Sequence, residues 1–193
     1  MKKNTNNSIR QHIDKNLQNI KLLKSPSQKI IDDFTNHKRI IFCTMGKSAF
    51  ACRKTVYTAR SYGLDWHDLD VCHAFHGDAG IIKKGDFLVF VSKSGETKET
   101  VDVAKYFKDW KTLAITSNQD STLAKICKSN FYIPVIEEGS PFGYAPMIST
   151  TMYMIALHSF LCETVYKNNI TIEEYARNHP AGKIGESLKN VGL

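Results

Sequence analysis

The 193-residue sequence predicts an α/β domain, a three-layer sandwich in which about five mainly parallel strands are flanked by helices on both faces. Three observations lead there. From Lys38 onward, short and nearly continuous apolar runs alternate with longer helix-like segments, the texture of strands buried on both faces and joined by crossover helices. Small hydroxyl and glycine clusters follow three of those runs, where an open parallel sheet binds its ligands. The length suits one domain with a short appendage, and 42% hydrophobic residues supply a sizeable core. The chain divides on this reading into an N-terminal helical segment, residues 1–37, and a domain over residues 38–193.

Taken in order, Ile9, Ile13, Leu17, Ile20 and Leu23 recur at helical spacing and form one apolar stripe. Packing on the domain or on a partner subunit is the expected fate of that stripe, ahead of a membrane surface. Ser25-Pro26 reads as an N-cap followed by proline at the first helical position, opening a second helix through about Phe34. Strands are predicted at Ile40–Cys43, near Trp66–Cys72, and at Asp86–Val91, Thr112–Thr116 and Phe131–Val135. Crossover helices fill about 48–62, 96–109 and 121–128. A long helix follows from about Ser149 to Tyr166, then a short one from Thr171 that stops before Pro180.

The formal charge of +7 invites a polyanionic partner, but residues 1–24 carry +5 of it and the remainder only +2. Composition therefore argues against nucleic acid as the domain's partner. No apolar stretch reaches the 18 or so residues of a membrane span; the longest candidate, Met152–Cys162, is broken by His158 and Ser159. The positively charged start has no apolar region behind it, and five cysteines without a C-x-x-C pair suit a reducing compartment. A cytoplasmic protein is the expectation.

The clusters after the strands are Thr44-Met45-Gly46-Lys47-Ser48, Ser92-Lys93-Ser94-Gly95-Glu96-Thr97 and Thr116-Ser117-Asn118. The second sets three hydroxyls around a glycine where a strand turns into a helix, a composition that suits a phosphate. Its plainer alternative is that Ser94 merely caps the helix. Gly46-Lys47-Ser48 resembles the end of a Walker A loop, but Ile41 stands where that loop needs glycine, and no G-x-G-x-x-G follows the first strand. Nucleotide binding is disfavoured on both counts. His73, His76 and Asp78 are better read as a hydrogen-bonded loop than as a metal cluster, so no metal and no cofactor are expected.

Met45-Gly46-Lys47-Ser48 with Arg53-Lys54 behind it, His76-Gly77-Asp78, Ser92-Lys93-Ser94-Gly95-Glu96-Thr97-Lys98-Glu99, Glu138-Gly139-Ser140-Pro141-Phe142-Gly143-Tyr144-Ala145-Pro146 with Ser149-Thr150-Thr151, and His179-Pro180-Ala181-Gly182-Lys183-Ile184-Gly185 resemble the sugar isomerase (SIS) domain family. Within it they are most similar to the arabinose 5-phosphate isomerase group. The likeness runs from about residue 38 to 188 and makes residues 38–193 the SIS domain. It implies reversible conversion of D-ribulose 5-phosphate into D-arabinose 5-phosphate, the first step toward Kdo for lipopolysaccharide or capsule. The alternatives are an isomerase of another sugar phosphate and a non-catalytic phosphosugar-binding regulatory module.

The same resemblance assigns Lys47, Glu99, Glu138, His179 and His76 to catalysis, and Ser48, Ser92, Lys93, Ser94 and Thr97 to the substrate phosphate. It further implies a homo-oligomer, a tetramer, with His179 reaching into a neighbouring subunit's site, and a stand-alone form without the paired regulatory domains that often follow.

The residues themselves bear on these roles. Aldose/ketose isomerisation moves a proton between C1 and C2 through an enediolate, which requires a base, an oxyanion stabiliser and a means of opening a cyclic sugar. Glu138 is the expected base, its pKa raised by desolvation among Pro141, Phe142 and Tyr144, with an ordinary loop carboxylate as the alternative. Lys47 is set to neutralise oxyanion or phosphate charge, or to be a solvated loop lysine. His179, before Pro180, is expected to project from a turn and shuttle protons, or simply to mark a helix stop. Glu99 lies one helical turn past Gly95 and faces the pocket or solvent. Arg53 and Lys54 are expected near the phosphate loops. The sequence departs from the family pattern at His73, Lys93, Leu157-His158 and Ala181, with Lys93 standing where a neutral amide is usual.

Overall fold

A computed structural model describes residues 5–190 and 192; Lys2 and Lys3 of the basic amino terminus lie outside them. Five strands, β1 (Arg39–Thr44), β2 (Asp65–Asp70), β3 (Phe87–Val91), β4 (Lys111–Thr116) and β5 (Ser129–Tyr132), form one sheet in the order β2-β1-β3-β4-β5. Every neighbouring pair is parallel, so the predicted sheet is the one the chain adopts.

Strand alternation divides the apolar runs between two layers. Ile40, Phe42, Phe87, Val89, Leu113 and Ile115 point toward α2 (Gln28–Asn36), α3 (Gly46–Ser61) and α6 (Ile148–Lys167). Ile41, Cys43, Leu88, Phe90 and Ala114 point toward α4 (Lys98–Tyr106) and α5 (Thr122–Ile126). Phe34 of α2 is wholly buried, stacked 4.1 Å from Phe160 and edge-on to Phe87 at 5.4 Å. This helix is thus built into the first layer.

Several boundaries differ from expectation. The second helix starts at Gln28 with Ser27 at its N-cap, not at Ser25-Pro26. The last strand covers Ser129–Tyr132 and stops short of Pro134, which has no N–H to extend the ladder. Two short 3₁₀ turns, Ala74–His76 and Asp78–Ile81, follow β2. After α7 (Ile172–Arg177), which Thr171 and Glu174 start with a reciprocal capping box, comes an unexpected helix α8 (Gly182–Asn190).

The amino-terminal helix α1 (Thr5–Ile20) leaves Ile9, Ile13 and Leu17 about half exposed or more, at 60%, 49% and 49%. Only the end of the stripe, Leu23, packs against the core. A different face holds the helix down. Asn19 is buried and its Oδ1 accepts from the Ile136 N–H at 3.2 Å, while Lys15 pairs with Glu137 at 2.9 Å.

Candidate active site

In the order β2-β1-β3-β4-β5 the chain leaves β1 toward opposite sides of the sheet, so the crevice beyond the carboxyl ends of β1 and β3 is the switch point where such sheets bind ligands. Lys47 and Ser48 occupy the first turn of α3 directly after β1. Ser92 to Thr97 link β3 to α4, and Glu99 sits in the first turn of α4. His76, exposed, lies on the 3₁₀ segment after β2. Four of the five expected catalytic residues and all five expected phosphate residues therefore belong to the carboxyl edge, Glu138 arriving there through its contact with Lys93.

The serine loop is a compact turn. Ser92 Oγ and Thr97 Oγ1 are 2.9 Å apart, the Gly95 N–H donates to Ser92 Oγ at 3.2 Å, and the Glu96 N–H donates to Ser94 Oγ at 3.1 Å. Ser94 does not cap α4, whose N-cap position is Thr97; its exposed hydroxyl organises the turn instead. Gly95 has φ +67°, and a Cβ there would stand 2.2 Å from Ser121 Oγ. Only glycine permits this close approach to α5. The Lys93 carbonyl is fixed by the Ser117 N–H at 3.0 Å and Thr116 Oγ1 at 3.1 Å. The hydroxyl cluster after β4 thus supports the loop from below.

Glu138 is 1% exposed. Its Oε2 accepts from the N–H groups of Met147 at 3.0 Å and Ser149 at 3.1 Å, at the start of α6. Oε1 lies 2.8 Å from Lys93 Nζ yet receives no well-directed hydrogen bond and is sealed from solvent. The expectation of a raised pKa is corrected here. Burial does push the carboxyl upward, but the Lys93 ammonium and the Ser149 and Met147 N–H groups outweigh it and hold the group below the ordinary glutamate range. Nor is it pressed among aromatic rings, since Phe142 and Tyr144 are 86% and 89% exposed.

His179 is elsewhere. Its ring stacks on Tyr175 at 4.1 Å and its Nδ1 lies 2.9 Å from the Tyr175 carbonyl oxygen, so it does not project freely from the turn before Pro180. Tyr175 in turn packs 4.8 Å from Tyr62, and Asn178 Nδ2 donates to the Ser61 carbonyl. Both anchors lie at the end of α3, whereas Lys47 lies at its start. A helix of 16 residues rises about 24 Å, so His179 and the serine loop are at opposite edges of one chain's sheet.

Arg53 and Lys54 do not serve the phosphate loops either. Arg53 pairs with Asp68 at 2.8 Å and Lys54 Nζ lies 3.0 Å from His158 Nε2. Burial and that neighbouring ammonium lower the pKa of His158. Glu99 is exposed and close enough to Cys72 to help raise the thiol's pKa, after burial and Asp70. Among the described residues, no three His, Cys, Asp or Glu side chains converge as a metal site. Cys43, Cys52 and Cys127 are buried free thiols and Cys72 and Cys162 exposed ones; no helix among the described residues is long and apolar enough to cross a membrane.

Sequence reasoning did not single out Ser121, which sits under Gly95, or Tyr153, whose wholly buried hydroxyl faces Ser117. A tyrosine inside the apolar run of α6 was the available signal for the latter.

A switch-point crevice with a hydroxyl turn on one side and a buried, donor-held carboxylate on the other defines the class, and the SIS domain model matches residues 33–162. The chain belongs to the SIS domain family. Among curated relatives, it is 32% identical to arabinose 5-phosphate isomerase KpsF of Escherichia coli over 164 residues, covering 83% of this chain and 50% of that protein. It is 31% identical to arabinose 5-phosphate isomerase KdsD of Yersinia pestis over 157 residues, 80% of this chain and 48% of that protein. The chain thus spans about half the length of these relatives. Among solved structures, a proposed phosphosugar isomerase involved in capsule formation from Bacteroides fragilis NCTC 9343 superposes with a TM-score of 0.86 at 25% identity, covering 91% of this chain and 97% of that one. The E. coli CFT073 protein c3406, solved in complex with arabinose 5-phosphate, shares the fold with a TM-score of 0.84 at 24% identity, covering 92% and 100%.

Proposed function

We propose that this chain is an aldose/ketose isomerase that interconverts D-ribulose 5-phosphate and D-arabinose 5-phosphate. The observation that carries the reading is the buried Glu138 carboxylate held against the serine loop through Lys93. A phosphate in the turn of Ser92, Lys93, Ser94 and Thr97, with Ser48 from the first turn of α3, brings the sugar's other end toward Glu138, and the kinship with arabinose 5-phosphate isomerases supports the substrate. Glu138 removes a proton from C1 of the ketose and returns it to C2, while the hydroxyl proton passes from O1 to O2. The enediolate needs no oxidant. Lys47 and Glu99 flank the reacting carbons from α3 and α4, Lys47 offsetting the oxyanion, and His76 completes the pocket from the β2 side.

His179 acts across an interface between copies of the chain on this reading, because its own chain keeps it at the opposite edge. The product would feed Kdo synthesis in the cytoplasm.

The test incubates purified protein with ribulose 5-phosphate and follows arabinose 5-phosphate. Turnover is expected, and Glu138→Gln should lower it by about 10² to 10⁴-fold while phosphosugar binding persists. Turnover of a different ketose phosphate alone would reassign the substrate. A second reading, a non-catalytic phosphosugar-binding module, draws on the donors that hold Glu138 ionised and covered. Binding of arabinose 5-phosphate without isomerisation of any sugar phosphate would favour it.

A further inference from the structure

The oxygen of Glu138 best placed to act as a base is the one Lys93 covers. Oε2 is committed to two backbone N–H groups, whereas Oε1 has the Lys93 ammonium 2.8 Å away, no directed hydrogen bond and no access to solvent. A base must touch the proton that it removes, so Lys93 has to leave before Glu138 can work.

The lysine is built to leave. Its backbone is pinned by Ser117 and Thr116, but its side chain is 42% exposed, and a four-carbon stem swings easily about a fixed Cα. It stands between Ser92 and Ser94, in the turn proposed to hold phosphate. A phosphate monoester carries about −1.5 to −2 charge near pH 7, against −1 for the carboxylate.

We infer that Lys93 is a substrate-operated latch: paired with Glu138 in the empty site, it transfers to the substrate phosphate on binding, uncovering Oε1 and raising the carboxylate's basicity only when substrate is present. This deepens the proposed function and rests on its phosphate site. Losing a cation and gaining a nearby anion both favour the protonated carboxyl. The groups facing Glu138 are Lys93 from the serine loop, the amino terminus of α6, and Tyr153 within that helix; of these only Lys93 carries a full charge at neutral pH. The latch makes Lys93 a ligand of the substrate phosphate that uncovers the base, not the group that transfers the proton.

The test is a double-mutant cycle read by calorimetric binding of inorganic phosphate and, separately, arabinose 5-phosphate. Glu138→Gln frees Lys93 and should tighten binding about tenfold, about 1.4 kcal/mol. In a Lys93→Gln background the same change should give little gain. Equal tightening in both backgrounds overturns the latch while leaving the phosphate site standing. Failure of both the wild type and Glu138→Gln to bind either probe overturns the latch together with that site.

A second measurement uses wild-type protein. The carbon-13 titration of the Glu138 carboxyl should move to higher pH when phosphate is added, and an unmoved midpoint overturns the proposal. Failure of the isomerase reading looks different: no turnover of ribulose 5-phosphate, with the cycle and the titration still behaving as described.

Discussion

At the scale of single residues, the site depends on contacts between neighbouring loops more than on any one side chain. Gly95 combines a left-handed backbone with a 2.2 Å approach of a would-be Cβ to Ser121 Oγ. Gly95→Ala should therefore cost about 2–4 kcal/mol, from overpacking together with left-handed strain, measured by urea denaturation; Ser121→Gly in the same chain should recover part of it. Glu138 has a pKa lowered below its ordinary value by the Lys93 ammonium and two N–H donors, against the opposing effect of burial. Its ionised form thus stabilises the fold above about pH 4.3, the unfolded value, and that stabilisation is lost as pH falls through the lower folded value. Lys93→Gln should accordingly lower the thermal midpoint at pH 7, with the gap to wild type closing below about pH 4. A constant gap from pH 7 to pH 3 would mean that the ion pair carries no such linkage. The residue types at these positions were legible in the sequence. The sign of the shift was not, because it depends on Lys93 and on two N–H groups nine and eleven positions away in the chain, which only packing brings to the carboxylate.

At the scale of elements, each loop of the site is braced by something outside the motif it belongs to. The serine loop rests on the end of β4 and the start of α5. The segment leading to Glu138 is held by α1, a helix that the sequence separates from the domain, through Asn19 to Ile136 and Lys15 to Glu137. Asn19→Ala removes the acceptor of the part-buried Ile136 N–H and should cost about 0.5–1.5 kcal/mol, with faster amide exchange at Ile136 as the local check. Unchanged stability and exchange would show that α1 does not brace this segment. The helices up to α7 were readable from their periodicity and caps, whereas α8 and the start of α2 were not. Ser-Pro is a valid helix opening wherever it occurs, and only packing places the first turn at Gln28.

At the scale of the whole molecule, the parallel order β2-β1-β3-β4-β5 gathers Lys47, His76, the serine loop and Glu99 on one edge and leaves His179 on the other. If His179 completes a second copy's site, mixing inactive Lys47→Ala and His179→Ala proteins under subunit exchange should restore part of the activity, since some mixed sites would contain both intact residues. Absence of rescue despite demonstrated exchange would confine the site to one chain. By itself the sequence determined the α/β class, the strands and the inventory of polar residues, because apolar periodicity and turn chemistry act locally along the chain. Only the tertiary structure decided that Lys93 covers Glu138, that Arg53 and Lys54 are spent on Asp68 and His158, and that His179 is a helix length away. Those outcomes depend on which distant groups packing brings within about 3 Å, the range in which hydrogen bonds and ion pairs select their partners.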